Sequence, residues 1–237
     1  MIVINRERIS YFELIIIMMI GKIVWSAYNL ADPIVQRPLT TWPVMTLIAL
    51  LGYFALLLSK KSEIPGLWDS GVTKVQRFVI PVGLGILFGL LQIGLVLSQN
   101  INVPMVPFPL SIPVYMSVGI LSELILHYIP LVGIRYIITL IIGDGGVRKT
   151  AFWFILIFIS VWEPVLQLTM MIRLELLNST VAGILPFLLV WTANLLPLIL
   201  LKKYGLLAAV SWRLADYLVW HILWGALAPV LTASWGF

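Results

Sequence analysis

The chain has 237 residues, 61% of them hydrophobic and only 11% charged, with a mean hydropathy of +1.07. A soluble domain carries about 25% charged residues, so a water-covered globule is excluded and a lipid bilayer is the solvent that the composition implies. The formal charge of +5 marks cytoplasmic loops rather than nucleic-acid binding, and the absence of cysteine excludes disulfides, thiolate metal sites and a cysteine nucleophile.

Runs of roughly 20 apolar residues predict membrane-crossing helices. In chain order they fall at 11–31, 42–59, 78–98, 111–142, 151–172, 181–201 and 204–230. Arg6 and Arg8 precede the first run, and no small-residue cleavage site closes it, so it reads as an uncleaved helix. The fourth run is too long for one straight crossing: its helix would reach ~48 Å against a hydrocarbon core of ~30 Å. Pro130 is expected to kink or split it, which gives seven spans, or eight if it divides. The fold class expected is therefore all-α, a polytopic transmembrane bundle. It forms a single integral membrane domain over 1–237, with N-terminal spans in 1–110 and a motif-bearing half in 111–230.

Lys and Arg set the orientation. With seven spans and a cytoplasmic N-terminus, Arg6, Arg8, Lys60, Lys61, Lys74, Arg77, Arg148, Lys149, Lys202 and Lys203 lie inside. Only Arg37 and Arg173 lie outside, a bias of ten to two. Eight spans would move Arg148, Lys149, Lys202 and Lys203 outside, against the rule. The chain is thus expected in the cell membrane as a multi-pass protein. The inner loop 59–77 carries Ile64, Leu67, Trp68, Val72 and Val75 at near-helical spacing among basic residues. It reads either as a short amphipathic helix on an anionic lipid surface or as a solvated loop. The outer loop 100–113 holds four prolines and no charge, so it is expected to pack at the membrane surface. Asn178, Ser179 and Thr180 match a glycosylation sequon.

Charges inside a membrane are costly, and each asks for a partner. Glu123 and His127 are four apart, Glu163 and Gln167 four apart, Arg213 and Asp216 three apart, so each pair shares a helix face. At ~1.5 Å rise per residue, Glu123, Arg213, Asp216 and Glu163 come to a layer only ~6 Å thick. One reading is an ion-pair network, with Arg213 bridging Glu123, Glu163 and Asp216, its guanidinium bidentate on Glu163 or Asp216, and with His127 and Gln167 adding further hydrogen bonds. The other is a catalytic or metal site, with two carboxylates and a histidine activating water. Arg213 weighs against a metal, because its fixed charge repels a cation and offers no lone pair. Asn194 is expected as a helix–helix hydrogen bond, Lys22 and Arg135 as snorkelling or paired bases, and His221 either as a satisfied bundle histidine or as a ligand. No HExxH, GxSxG, Walker or dinucleotide fingerprint occurs.

The stretch Ser122-Glu123-Leu124-Ile125-Leu126-His127 resembles the EExxxR motif of the CPBP family, the CAAX-processing and bacteriocin-processing intramembrane metalloproteases. Ser122 stands at the first glutamate, Glu123 at the second and His127 at the arginine. Glu163 and Gln167 stand at the phenylalanine and histidine of the family's FxxxH motif. The run from Tyr204 to Asp216 resembles the last motif region, with Trp212 or Arg213 at its histidine and Asp216 at the polar residue that follows. The resemblance covers about 111–230. It implies a CPBP-like bundle and a CPBP-type intramembrane peptidase, or an inactive relative given these replaced letters. An active form would use Glu123 as base and zinc or another divalent ion, whereas Arg213 favours no metal. The candidate site is then Glu123, His127, Glu163, Gln167, Arg213 and Asp216. The alternative is a non-enzymatic accessory or bacteriocin-immunity-type protein. The expected partners are the lipid bilayer and a membrane-embedded peptide or protein.

Overall fold

A computed structural model describes residues 2–28, 41–99, 105–142, 146–173 and 184–229. Among them the chain is helical, with no β-strand. The first rod, α1, is Ile2–Ala27, and α2 is Trp42–Leu58. The third, α3, opens with a π-helical turn at Val75–Val79 and continues as Ile80–Gln99. The fourth, α4, runs through Ser111–Ser122, a π-helical turn at Glu123–Tyr128, and Ile129–Ile142. Then follow α5, Gly146–Arg173, and α6, Ile184–Tyr204. The last rod, α7, starts as Leu206–Tyr217 and widens into a π-turn at Leu218–Trp224.

Five helices are long and apolar enough to cross a membrane: Arg6–Ala27, Val75–Ser98, Ser111–Ile141, Ile184–Tyr204 and Leu206–Pro229. Trp42–Leu58 and Thr150–Leu166 are shorter apolar helices. The outward faces match that reading. Phe158 and Ile141 are each 75% exposed and Phe154 70%, a surface that suits hydrocarbon and not water. The protein is a membrane helix bundle.

Of the two outcomes expected at Pro130, a kink or a split, the split does not occur, and α4 stays continuous across it. The π-turn just before the proline widens the hydrogen-bond ladder, with the Ile129 N–H reaching back to the Leu124 carbonyl. That wider turn accommodates a ring that cannot donate and that crowds the carbonyl four residues back. The loop 59–77 is neither an amphipathic surface helix nor a solvated loop. From Ser59 to Thr73 it is built of turns folded back into the bundle. Ile64 and Leu67 join the main core with Leu56, Leu131 and Leu206, and Ser62 Oγ donates to the Val132 carbonyl at 3.0 Å. Ile64, Leu67 and Val72 form a core plug, so their spacing reports burial rather than a helix, whereas Val75 is exposed at the start of α3.

Lipid gives no hydrophobic drive between helices, so close approach and polar links hold such bundles. The Tyr11 hydroxyl donates to the Ala49 carbonyl at 2.6 Å, tying α1 to α2. Ser117 Oγ donates to the Met18 carbonyl at 2.6 Å, tying α4 to α1. Trp191 Nε1 donates to Ser160 Oγ at 2.8 Å, tying α6 to α5. The tightest approach that matters for the site is α3 on α7. A Cβ at Gly85 would stand 2.4 Å from the Trp212 carbonyl oxygen, and one at Gly89 would stand 2.6 Å from Val219 Cβ. Only glycine lets the two backbones meet there.

One end of the bundle gathers the basic loops. Glu63 pairs with Arg135, Lys202 lies 4.4 Å from the ring centres of Phe152 and Trp153, and Gly205 packs against Pro65. At the opposite end the described part of the 100–113 loop packs against the bundle through Val106. Val106 is buried and its N–H donates to the Tyr115 hydroxyl at 3.1 Å. Arg37, Asn178, Ser179 and Thr180 lie outside the described residues.

Candidate functional site

The polar layer forms where the π-turn of α4 meets α7. Glu123, fully buried, opens that turn. Its Oε1 accepts from Arg213 Nε at 2.7 Å, and its Oε2 lies 2.9 Å from His127 Nδ1. An ionised carboxylate only accepts, so the proton of the second bond sits on Nδ1 and leaves Nε2 as the other ring nitrogen. Arg213 Nη2 donates to Asn194 Oδ1 at 3.2 Å and stands 3.8 Å from Glu163 Oε2. Asn194 is held in turn by its own Nδ2, which donates to the Val190 carbonyl at 2.8 Å. Glu123, Arg213 and Glu163 thus meet across α4, α7 and α5, with α6 contributing Asn194.

Asp216 belongs to a different partner. Its Oδ1 accepts from Gln92 Nε2 at 2.6 Å. Gly85, Gly89 and Gln92 follow one another at four and three residues, so one face of α3 carries both the close approach and the amide. The expected bidentate grip of Arg213 on Glu163 or Asp216 is not what forms. The guanidinium spends Nε on Glu123 and Nη2 on Asn194, because α6 and the π-turn present their acceptors on separate sides of it. Gln167 lies on α5 with its side chain outside the described set.

Gln92 escaped the sequence reading. Its signal was present, since an amide inside an apolar span asks for a partner as a charge does. Asn194 was expected to bond between helices, and it does so to the central arginine. Lys22 lies 5.9 Å from the Trp25 ring centre. His221 is a bundle histidine in an aromatic box. It stacks on Tyr115 at 4.2 Å, takes the edge of Tyr217 at 4.6 Å, and its Nδ1 lies 3.4 Å from Met105 Sδ.

The donor set does not fit a divalent ion. Both oxygens of Glu123 are engaged, one of them by a fixed cation. Among the described residues no group of three or more His, Asp or Glu side chains is placed to hold a metal. At the position that resembles the family's last metal histidine stand Trp212, a fully buried indole against Phe88, and Arg213. Neither side chain offers a lone pair to a metal.

No protein-family model matches the chain, no curated protein matches its sequence, and no solved structure matches its fold.

Proposed function

We propose that this chain is a non-hydrolytic membrane protein on a CPBP-like scaffold, with the hydrolytic centre replaced by an ion-pair layer. It serves as an accessory to a membrane-embedded protein or peptide. One observation carries the reading: Glu123, the residue that would serve as base, has both oxygens committed, to Arg213 at 2.7 Å and to His127 at 2.9 Å. Full burial and these two partners suit an ion-pair anchor better than a base that must reach the water it activates. The paired acids instead join α4, α5 and α7.

The test is elemental analysis of the purified full-length protein, with thermal unfolding followed with and without a chelator. The expected result is no stoichiometric metal and no chelator effect, together with a stoichiometric membrane partner after mild-detergent purification. One equivalent of zinc whose removal lowers the melting temperature overturns the proposal. The peptidase reading keeps one observation in its favour. The π-turns at Glu123–Tyr128 and Leu218–Trp224 fall on the two motif-bearing rods, and such turns gather at functional sites.

The same proposal places seven spans in the cell membrane with the basic end and the N-terminus in the cytoplasm. The grouping of the described basic loops at one end supports it. The chain has no cysteine, so a single cysteine at the exposed Ser70 tests it directly. Labelling of that cysteine in intact cells by an impermeant reagent would reverse the orientation.

A further inference from the structure

The plug between α2 and α3 leaves two guanidinium groups around one indole. Trp68 is fixed by its Nε1, which donates to Ser10 Oγ at 2.9 Å, and by Phe78, whose ring centre is 6.2 Å away. The Arg6 guanidinium carbon lies 3.8 Å from the Trp68 ring centre and that of Arg77 lies 5.1 Å from it. Each gains from the ring's negative face, so two like charges are gathered at one indole. Arg77 is 4% exposed. Its Nη2 donates to the Asp69 carbonyl at 2.8 Å, while its Nε is buried and has no acceptor.

Among the described residues neither arginine forms an ion pair with a carboxylate. Asp69 turns its Oδ1 to the Gly71 N–H at 2.8 Å, Glu63 takes Arg135, and Glu7 is buried against Gly66. Lys60, Lys61 and Lys74 stand exposed on the same plug. Apolar surface begins immediately beside the cluster. Val75 and Val79 on α3 are exposed on either side of Arg77, and Ile9 is exposed on α1 one turn from Arg6. A charged headgroup over the arginines and an acyl chain along these residues would fill both surfaces at once.

We propose that Arg6 and Arg77, arranged around Trp68, bind the phosphate of an anionic phospholipid from the adjoining leaflet. The shared recognition chemistry is guanidinium to phosphate, which both a lipid and free phosphate offer. The flanking valines and isoleucine commit it to the lipid.

The experiment uses full-length protein in neutral detergent, with native mass spectrometry and thermal unfolding read after adding phosphatidylglycerol, phosphatidylcholine or inorganic phosphate. Phosphatidylglycerol is expected to remain bound and raise the melting temperature, and the other two to do neither. Arg6→Gln, an exposed change that leaves the plug folded, is expected to weaken phosphatidylglycerol binding about tenfold, as loss of one charge-assisted hydrogen bond implies. Lys60→Gln, on the same plug, is the control and should change little. Equal losses in the two variants would reduce the effect to diffuse surface charge and overturn the site. So would unchanged binding by Arg6→Gln, or equal stabilisation by inorganic phosphate or phosphatidylcholine.

Discussion

The interior polar layer and the basic end carry the same kinds of charge under opposite rules. Inside, Arg213 is enclosed by Glu123, Asn194 and Glu163, and Asp216 by Gln92. At the end, Glu63 is 54% exposed and still pairs with Arg135, while among the described residues Arg6 and Arg77 share an indole with no ion pair to a carboxylate. Where hydrocarbon surrounds a charge, only protein can neutralise it. Where headgroups and water are within reach, the protein can leave cations for its surroundings to satisfy. The comparison predicts large effects for changes in the interior layer and small ones at the end.

The largest is Arg213→Ala. It leaves Glu123 buried without its cation, and loss of about 3–5 kcal/mol is expected by analogy with broken buried pairs. Thermal unfolding in detergent should show it, and Arg213→Lys should rescue only part, because an ammonium lacks the planar fork. If Arg213→Ala unfolds at the unaltered temperature, the layer does not hold the bundle.

Gly205→Ala comes next, and it probes the join between the two regions. Gly205 starts α7 at φ 84°, and a Cβ there would stand 2.7 Å from the Pro65 carbonyl oxygen of the plug. Backbone strain of this kind costs about 1–3 kcal/mol, and the steric contact adds to it. The melting temperature should fall, with the plug becoming accessible to protease. An unchanged proteolysis pattern would separate the plug from the start of α7.

Gln92→Leu should cost about 1–2 kcal/mol, the usual loss when a buried acceptor is orphaned. Gln92→Glu should be worse, since it sets two acids together. If both variants melt as the unaltered protein does, Asp216 has found another donor. The smallest effect belongs to the end. Glu63→Gln breaks a half-exposed pair, and less than about 1 kcal/mol is expected. A loss there as large as that of Arg213→Ala would erase the distinction between the two regions.

The residues of the layer were legible in the sequence because buried charges are rare and helical rise fixes depth. Glu123, Glu163 and Arg213 were expected together, and they meet. Depth alone did not say which neighbour each would face. Rotation about the helix axis gives Asp216 its hydrogen bond from Gln92 and not from Arg213, at the place where Gly85 and Gly89 let α3 close on α7. The apolar periodicity of the 59–77 loop was misread for a related reason. Ile64 and Leu67 had to be buried, but turns can bury residues at helical spacing when the surrounding rods leave a space to fill.

The sequence by itself determined that this is a membrane protein made of apolar helices, that its bases favour one set of loops, and that a few costly charges must find partners within it. These are consequences of composition, length and rise per residue, which need no neighbours to evaluate. Only the tertiary structure decided that α4 stays whole across Pro130, that both oxygens of Glu123 are taken, and that Trp68 gathers two arginines. Each of these depends on which faces of distant segments touch. That is settled by close packing among all the rods together and not by any one of them.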